Sequence, residues 1–282
     1  MTLNTYGKYQ ILIKKDTPFD NSVEEKLKGQ KAIFIDRVDY QKYLEDNLQN
    51  ITNSNSISLD EKSGIIYDTA SNIMQDLFKN PETNIHRSKK IVHSLMDDIL
   101  NNDGALKSLM KVTSYDYYTY THSIDVTIYS LGLAKTLLFT REELEQLGTA
   151  AILHDIGKSK IDYNIVNKSG RLTEAEFYKI KKHPVYGHAI AVENGISDKN
   201  ILSGIRSHHE KYDGTGYPDG LTRDKISVFA EIIAIADIFD ALTTKRSYKE
   251  PFSTFDSLLL MKKEMSHQLN NKFLNKFITL LR

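Results

Sequence analysis

The sequence predicts a mainly α-helical bundle preceded by a small α/β unit. Three observations carry this expectation. Apolar residues recur at helical spacing in nearly every segment from Ser58 onward. Short β-prone runs, Tyr9–Ile13 and Ala32–Ile35, lie within the first 50 residues. His and Asp residues end or interrupt apolar helical faces at several separate places, which is how a bundle gathers polar groups into its core.

Residues 1–50 read as a small α/β accessory or regulatory domain. The two β-prone runs are bounded by charged and turn residues, and Tyr40–Leu48 adds a weak helical pattern. No catalytic cluster falls there. The Asn- and Ser-rich residues 50–57 read as a linker. Ser58 and Glu61 form a capping box, followed by Ile66, Ala70, Ile73, Met74 and Leu77 on one helical face. Asn80-Pro81 breaks that helix, and Pro81 is expected in the first turn of the next. The second helix carries Ile91, Val92, Leu95, Met96 and Ile99 and ends at Asn101-Asn102-Asp103-Gly104. Linker and helical pair occupy residues 51–104. His86 and His93 lie in this stretch without carboxylate company and read as surface or structural residues.

Residues 105–282 are almost wholly helical in pattern. Tyr115 to Leu138 reads as one long amphipathic segment, with His122 on the same face as Val126, Tyr129 and Leu133. Thr140 and Glu143 cap the next helix, whose apolar face of Leu144, Leu147, Ala151 and Ile152 delivers His154 and Asp155; Gly157 reads as its stop. Thr173 and Glu176 cap a third helix, expected to end at His183-Pro184. Ile201, Leu202 and Ile205 mark a fourth, ending at His208-His209, and a loop rich in Gly and Pro follows. Ser227 starts a fifth helix, in which Asp237 sits inside an apolar run. A buried, ionised carboxylate demands a metal or a cation. Leu258–Met261 and Phe273–Leu281 suggest two terminal helices.

Composition narrows the chemistry. Lys+Arg 37 balances Asp+Glu 37, so no bulk basic field favours nucleic acid or an anionic membrane. Cys is absent, which excludes disulfides, thiolate metal sites and Cys nucleophiles. Any metal must sit on imidazole and carboxylate, a donor set that suits manganese, iron or zinc. The first residues lack an apolar signal core and no apolar run is long enough to span a bilayer, so a soluble, cytoplasmic protein is expected.

The ordered set His122, His154-Asp155 with Gly157-Lys158, His183, His208-His209-Glu210, Asp213-Gly214, Gly216-Tyr217-Pro218 and Asp237 with Asp240-Ala241-Leu242-Thr243 resembles the HD-GYP domain phosphodiesterases. These belong to the HD metal-dependent phosphohydrolase superfamily. Arg246-Ser247-Tyr248-Lys249 is similar to the basic segment that follows in that family. A lone His-Asp pair carries little; the whole ordered set is specific, and it covers roughly residues 105–280.

The resemblance implies an HD-domain helical bundle that hydrolyses cyclic di-GMP to linear pGpG, and in the family often on to GMP. It implies two divalent metals, iron or manganese. His122, His154, Asp155 and Asp237 would hold one, and Asp155 would bridge to a second held by His183, His208 and His209. Such a pair acidifies a bridging water and clamps the attacking and leaving oxygens. Lys158, beside the ligands, would bind a phosphate oxygen or help the leaving group. Arg246 and Lys249 would bind the substrate phosphates. Asp213, Gly214 and Tyr217 would line the pocket on the Gly-Tyr-Pro loop, a surface that also suits a diguanylate cyclase (GGDEF) partner. Some family members place a Glu four residues before the first His and use it for a third metal. Here that position is Tyr118, and Asp116 is off-phase, so two metals are expected. His188 stands where the family has a small residue and reads as packing or surface, as does His267. Homodimerisation through the first 104 residues is compatible with this reading. The alternatives are a hydrolase of another cyclic dinucleotide, such as cyclic GMP-AMP, and a low-activity module that binds nucleotide or a partner.

Overall fold

Fourteen helices are described in the computed structural model, which covers residues 2–5, 8–11, 21–28, 37–52, 57–81, 85–102, 104–113, 119–245 and 250–282. The chain divides into two compact units, residues 1–47 and 48–282. In the first, strands β1 (Thr2–Thr5) and β2 (Lys8–Ile11) pair antiparallel, with Thr2 opposite Ile11 and Thr5 opposite Lys8. Helices α1 (Asn21–Lys28) and α2 (Arg37–Thr52) follow. The expected strand at Ala32–Ile35 lies outside the described residues, so a single hairpin is what stands of the expected α/β unit. The expected linker also begins later than its composition suggests. Ile51 and Thr52 are helical, and the Thr52 hydroxyl donates to the Leu48 carbonyl and to Ser94 Oγ.

The second unit is built on α6 (Thr119–Thr136). Around it pack α3 (Leu59–Lys79), α4 (Arg87–Asn101), α5 (Ala105–Val112), α7 (Arg141–Leu153), α12 (Val228–Thr243) and α14 (Asn271–Leu280). Helix α6 is therefore buried continuously from Thr121 to Ala134, and the expected single apolar face is replaced by burial on all sides. Two of its buried polar side chains have these partners: Thr127 Oγ1 donates to the Ser123 carbonyl at 2.7 Å, and Asp125 accepts from Tyr67 Oη at 2.8 Å. Tyr129, Phe239 and Phe277 meet edge to face and lock α6, α12 and α14 together.

The helix starts follow their caps. Thr140 and Glu143 make the full reciprocal capping box of α7, and Thr173 and Glu176 that of α9 (Glu174–Ile180). Ser58 and Ser227 accept from the third backbone N–H of α3 and α12. Two proline expectations are corrected. Pro81 lies in a turn, and α4 starts only at Arg87. Pro184 does not close the preceding helix but opens α10 (His183–Glu193), because a proline in the first turn forfeits no helical hydrogen bond. The remaining helices are α8 (Tyr163–Val166), α11 (Lys199–Ser207) and α13 (Thr254–Glu264). No described helix is long and apolar enough to cross a membrane.

Candidate metal centre

Five helices bring the polar residues to one place. Helix α6 presents His122 from its first turns. Helix α7 ends in His154 and Asp155, and a 3₁₀ turn, Ile156–Lys160, carries Lys158. Helix α10 starts with His183, α11 ends into His208 and His209, and α12 presents Asp237 and, one turn on, Asp240. The approach of the 3₁₀ turn to α10 depends on Gly157. A Cβ there would lie 2.0 Å from the His183 carbonyl oxygen and 2.4 Å from the Gly187 nitrogen.

The imidazoles share one arrangement. Nδ1–H of His154, His183 and His208 donates to the carbonyl three residues earlier, Ala151, Ile180 and Ile205, at 2.7, 2.7 and 2.8 Å. Nδ1–H of His122 donates to Asp240 Oδ2 at 2.6 Å. In each ring this leaves Nε2 as a lone pair aimed inward, the tautomer that binds metal. His122 Nε2 is 3.1 Å from Asp237 Oδ1, and His154 Nε2 is 3.5 Å from Asp155 Oδ2. His183 Nε2 is 3.2 Å from Asp155 Oδ1 and also 3.2 Å from His208 Nε2. Two facing lone pairs at that separation repel unless a cation lies between or beside them. The buried His154 Nε2 has no hydrogen-bond partner at all. Imidazole nitrogens and carboxylate oxygens in this state fit a divalent metal.

The donor atoms fall into two groups that can each hold an ion. One comprises His122, His154 and Asp237; the other comprises Asp155, His183, His208 and His209. Asp155 stands between them, its Oδ2 toward His122 and His154, its Oδ1 toward His183. Lys158 Nζ donates to Asp155 Oδ2. All seven sequence-derived ligands are thus in one cluster, with Lys158 against it.

Electrostatics keep the donors ready. Burial holds His154 below its ordinary range and His208 well below it, and holds His209 at about 3 although its ring reaches solvent at the cleft mouth. These rings are neutral at pH 7. Burial pushes Asp155 up, but the ammonium of Lys158 beside it leaves it well below the carboxylate range. Asp237 is likewise pushed up by burial and brought well below that range by its close contact with His122.

These directions set a pH dependence. The unfolded chain protonates such histidines near 6.5, the folded one only at lower pH. The stabilisation they represent is therefore complete above about pH 7 and is lost as pH falls through 6.5, by about 1.4 kcal/mol per pH unit for each ring. The aspartates lose theirs only below their unfolded value of 3.8. Chelated protein is expected to melt several degrees lower at pH 5 than at pH 7.5 by calorimetry. An equal or higher melting temperature at pH 5 contradicts the burial of these rings in neutral form.

Two residues that the sequence offered only as letters of a motif have definite work. Asp240 orients His122 and accepts from Thr244 Oγ1 at 3.1 Å. The available signal was its position, one helical turn after Asp237 on the same face. Loss of such a supporting carboxylate typically costs 10–100-fold in metal affinity. Asp240→Ala is expected to weaken one metal by about that factor in a chelator competition; unchanged affinity contradicts the assignment. Glu210 is buried and accepts from the backbone N–H groups of Asp219 and Leu221 at 2.7 and 2.9 Å, which pins the Gly-Tyr-Pro loop to the end of α11.

The other loop candidates lie at the rim. The Tyr217 ring stacks on His209, with centroids 4.7 Å apart, and Lys181 sits 5.6 Å above its face. The Asp213 carboxylate is turned onto Thr215, accepting from its N–H at 2.9 Å and its hydroxyl at 2.6 Å. Gly214 follows with φ +76°, a conformation that side chains resist. Arg246, Lys249, Asp116 and Tyr118 lie outside the described residues. His93 corrects the expectation of no carboxylate company: its Nε2 is 3.0 Å from Glu145. His188 lines a shallow cavity beside Arg206 and Asp219, and His267 is exposed, 3.8 Å from Asp213.

Comparison with known proteins gives the family and the fold. The family model described as HD domain matches residues 95–271. A cyclic di-GMP phosphodiesterase of Pseudomonas aeruginosa is 33% identical over 177 residues, 63% of this chain and 43% of the relative. A 3'3'-cGAMP-specific phosphodiesterase of Vibrio cholerae is 38% identical over 149 residues, 52% of this chain and 32% of the relative. The chain thus spans less than half the length of either. In fold it is similar to the structure of an HDGYP protein from Bdellovibrio bacteriovorus, with a TM-score of 0.74, 21% identity, and coverage of 99% of this chain and 93% of the other.

Proposed function

The chain belongs to the HD domain family, and from that premise we propose that it is a metal-dependent phosphodiesterase that hydrolyses cyclic di-GMP to pGpG. The observation that carries the reading is the pair of donor groups sharing Asp155, with every inward imidazole nitrogen held as a lone pair. His122, His154, Asp155 and Asp237 would hold one ion, and His183, His208 and His209, with Asp155 between the two, a second. Two divalent ions held there, iron or manganese, would supply Lewis-acid stabilisation at phosphorus and would lower the pKa of a water. A third is not expected with Tyr118 in place of a Glu.

The protein's own part is positional. Asp155 ties the two donor groups together, and Asp240 keeps His122 in the metal-binding tautomer. Lys158 brings an ammonium beside Asp155, where it binds a non-bridging phosphate oxygen and offsets the charge that develops in displacement. Tyr217, backed by His209, forms the apolar side of the cleft, and Gly214 and the turn of Asp213 shape the loop that carries it. Arg246 and Lys249 are assigned the substrate phosphates on the family resemblance. Residues 105–282 form the catalytic domain in this reading, residues 51–104 its linker and helical pair, and residues 1–50 an accessory or regulatory domain. Similarity to a cGAMP-specific enzyme supports a second reading, in which cyclic GMP-AMP is the preferred substrate.

Anaerobically purified protein loaded with Fe²⁺ or Mn²⁺ is expected to convert cyclic di-GMP to pGpG, followed by chromatography. Faster conversion of cyclic GMP-AMP selects the second reading. Bound metal with turnover of neither dinucleotide contradicts the proposal.

A further inference from the structure

We infer that helix α3 supplies a nucleobase pocket beside the metal centre. The inference rests on the phosphodiesterase reading and adds to it the residues that hold the substrate's base. A cavity of about 420 Å³ opens between α3, the start of α6, the 3₁₀ turn and α8. Its lining includes Gln75, Phe78 and Lys79 from α3, Lys158 from the 3₁₀ turn, and Tyr163 and Asn167 from α8. The α3 residues lie outside the part of the chain that the family model matches, residues 95–271.

Three features point to a nucleotide. The volume lies within the range of small-molecule sites. Lys158 is shared: it lines the cavity and donates to Asp155, so the cavity begins where the metal centre ends. A nucleotide with its base seated here would direct its phosphate past Lys158 toward Asp155. The chemistry of the wall also fits. Phe78 and Tyr163 offer aromatic faces for stacking, and Gln75 and Asn167 offer both amide donors and acceptors to a purine edge. The lining contains two lysines and no carboxylate among the described residues, which suits an anionic ligand.

The test is direct binding of GMP to the metal-loaded 282-residue chain by calorimetry, so it does not require turnover. Wild type is expected to bind. Phe78→Ala is expected to weaken GMP about tenfold or more, the range for removal of a stacking aromatic, with metal content unchanged. Gln75→Glu places a carboxylate in the wall of a partly exposed site and is expected to weaken GMP by about as much, with an unchanged melting temperature. Absence of GMP binding by wild type, or binding by both variants as tight as wild type, overturns the pocket. Turnover of cyclic di-GMP by wild type is measured in parallel. Turnover with unweakened variants rejects the pocket alone, whereas GMP binding lost in the variants without any turnover supports the pocket and rejects the catalytic reading.

Discussion

Replacement of His154 and Asp155 together by alanine is expected to reduce cyclic di-GMP turnover to background, a loss of at least about a thousandfold. The size of the effect follows from the position of Asp155. It contacts both donor groups, and its two oxygens face His154 on one side and His183 on the other. Removing it deprives each group of an anionic donor, and removing His154 takes an imidazole from the first group as well. The remaining histidines would face one another without a carboxylate between them, and most bound metal should be lost. Both side chains are fully enclosed, so the doubly substituted protein must be checked by thermal unfolding. Asp155→Asn is the volume-preserving companion: it keeps the shape, withdraws the charge, and should lose activity to the same extent. Substantial activity in either variant contradicts the placement of the centre.

Gly157→Ala is expected to cost about 3 kcal/mol or more, from one added methyl group. Its Cβ would lie 2.0 Å from the His183 carbonyl oxygen and 2.4 Å from the Gly187 nitrogen, and both are backbone atoms that cannot rotate away. Overpacking of this kind ordinarily costs 1–3 kcal/mol when side chains can adjust, and here the 3₁₀ turn and α10 must separate. For a unit of this size that corresponds to a fall in melting temperature of roughly 6–12 °C. The displacement moves His183 away from Asp155, so the second donor group is disrupted while His122, His154 and Asp237 keep their places. The expected result is a destabilised protein that retains about one metal. A variant that melts like wild type and keeps its full metal content contradicts the close approach.

The two variants probe different degrees of legibility. The candidate ligands could be read from the sequence because each is a polar residue at the end of, or inside, an apolar helical run, and seven in one order match a family pattern. The helix starts were equally readable at Thr140 and Thr173, where cap and partner sit three residues apart and need no tertiary information. Pro184 was not, because proline marks both the end of one helix and the beginning of another, and only the packing of α10 on the 3₁₀ turn decides. The all-round burial of α6 was missed because Ser123, Asp125, Thr127 and Ser130 look like a solvent face, yet all four are buried among the surrounding helices. Gly157 read as a helix stop. Its stronger role, contact with a backbone thirty residues away, exists only in three dimensions. Asp240 was obscured for the same reason, since its partner His122 is 118 residues distant.

The central claim is that the two donor groups flanking Asp155 hold two ions at once. The most direct measurement is the metal content of anaerobically prepared protein, by elemental analysis against protein concentration. Two equivalents of iron or manganese per chain are predicted for wild type, and less than about half an equivalent for the His154→Ala/Asp155→Ala protein. One equivalent or none in folded wild type, under saturating metal, would contradict the dinuclear centre.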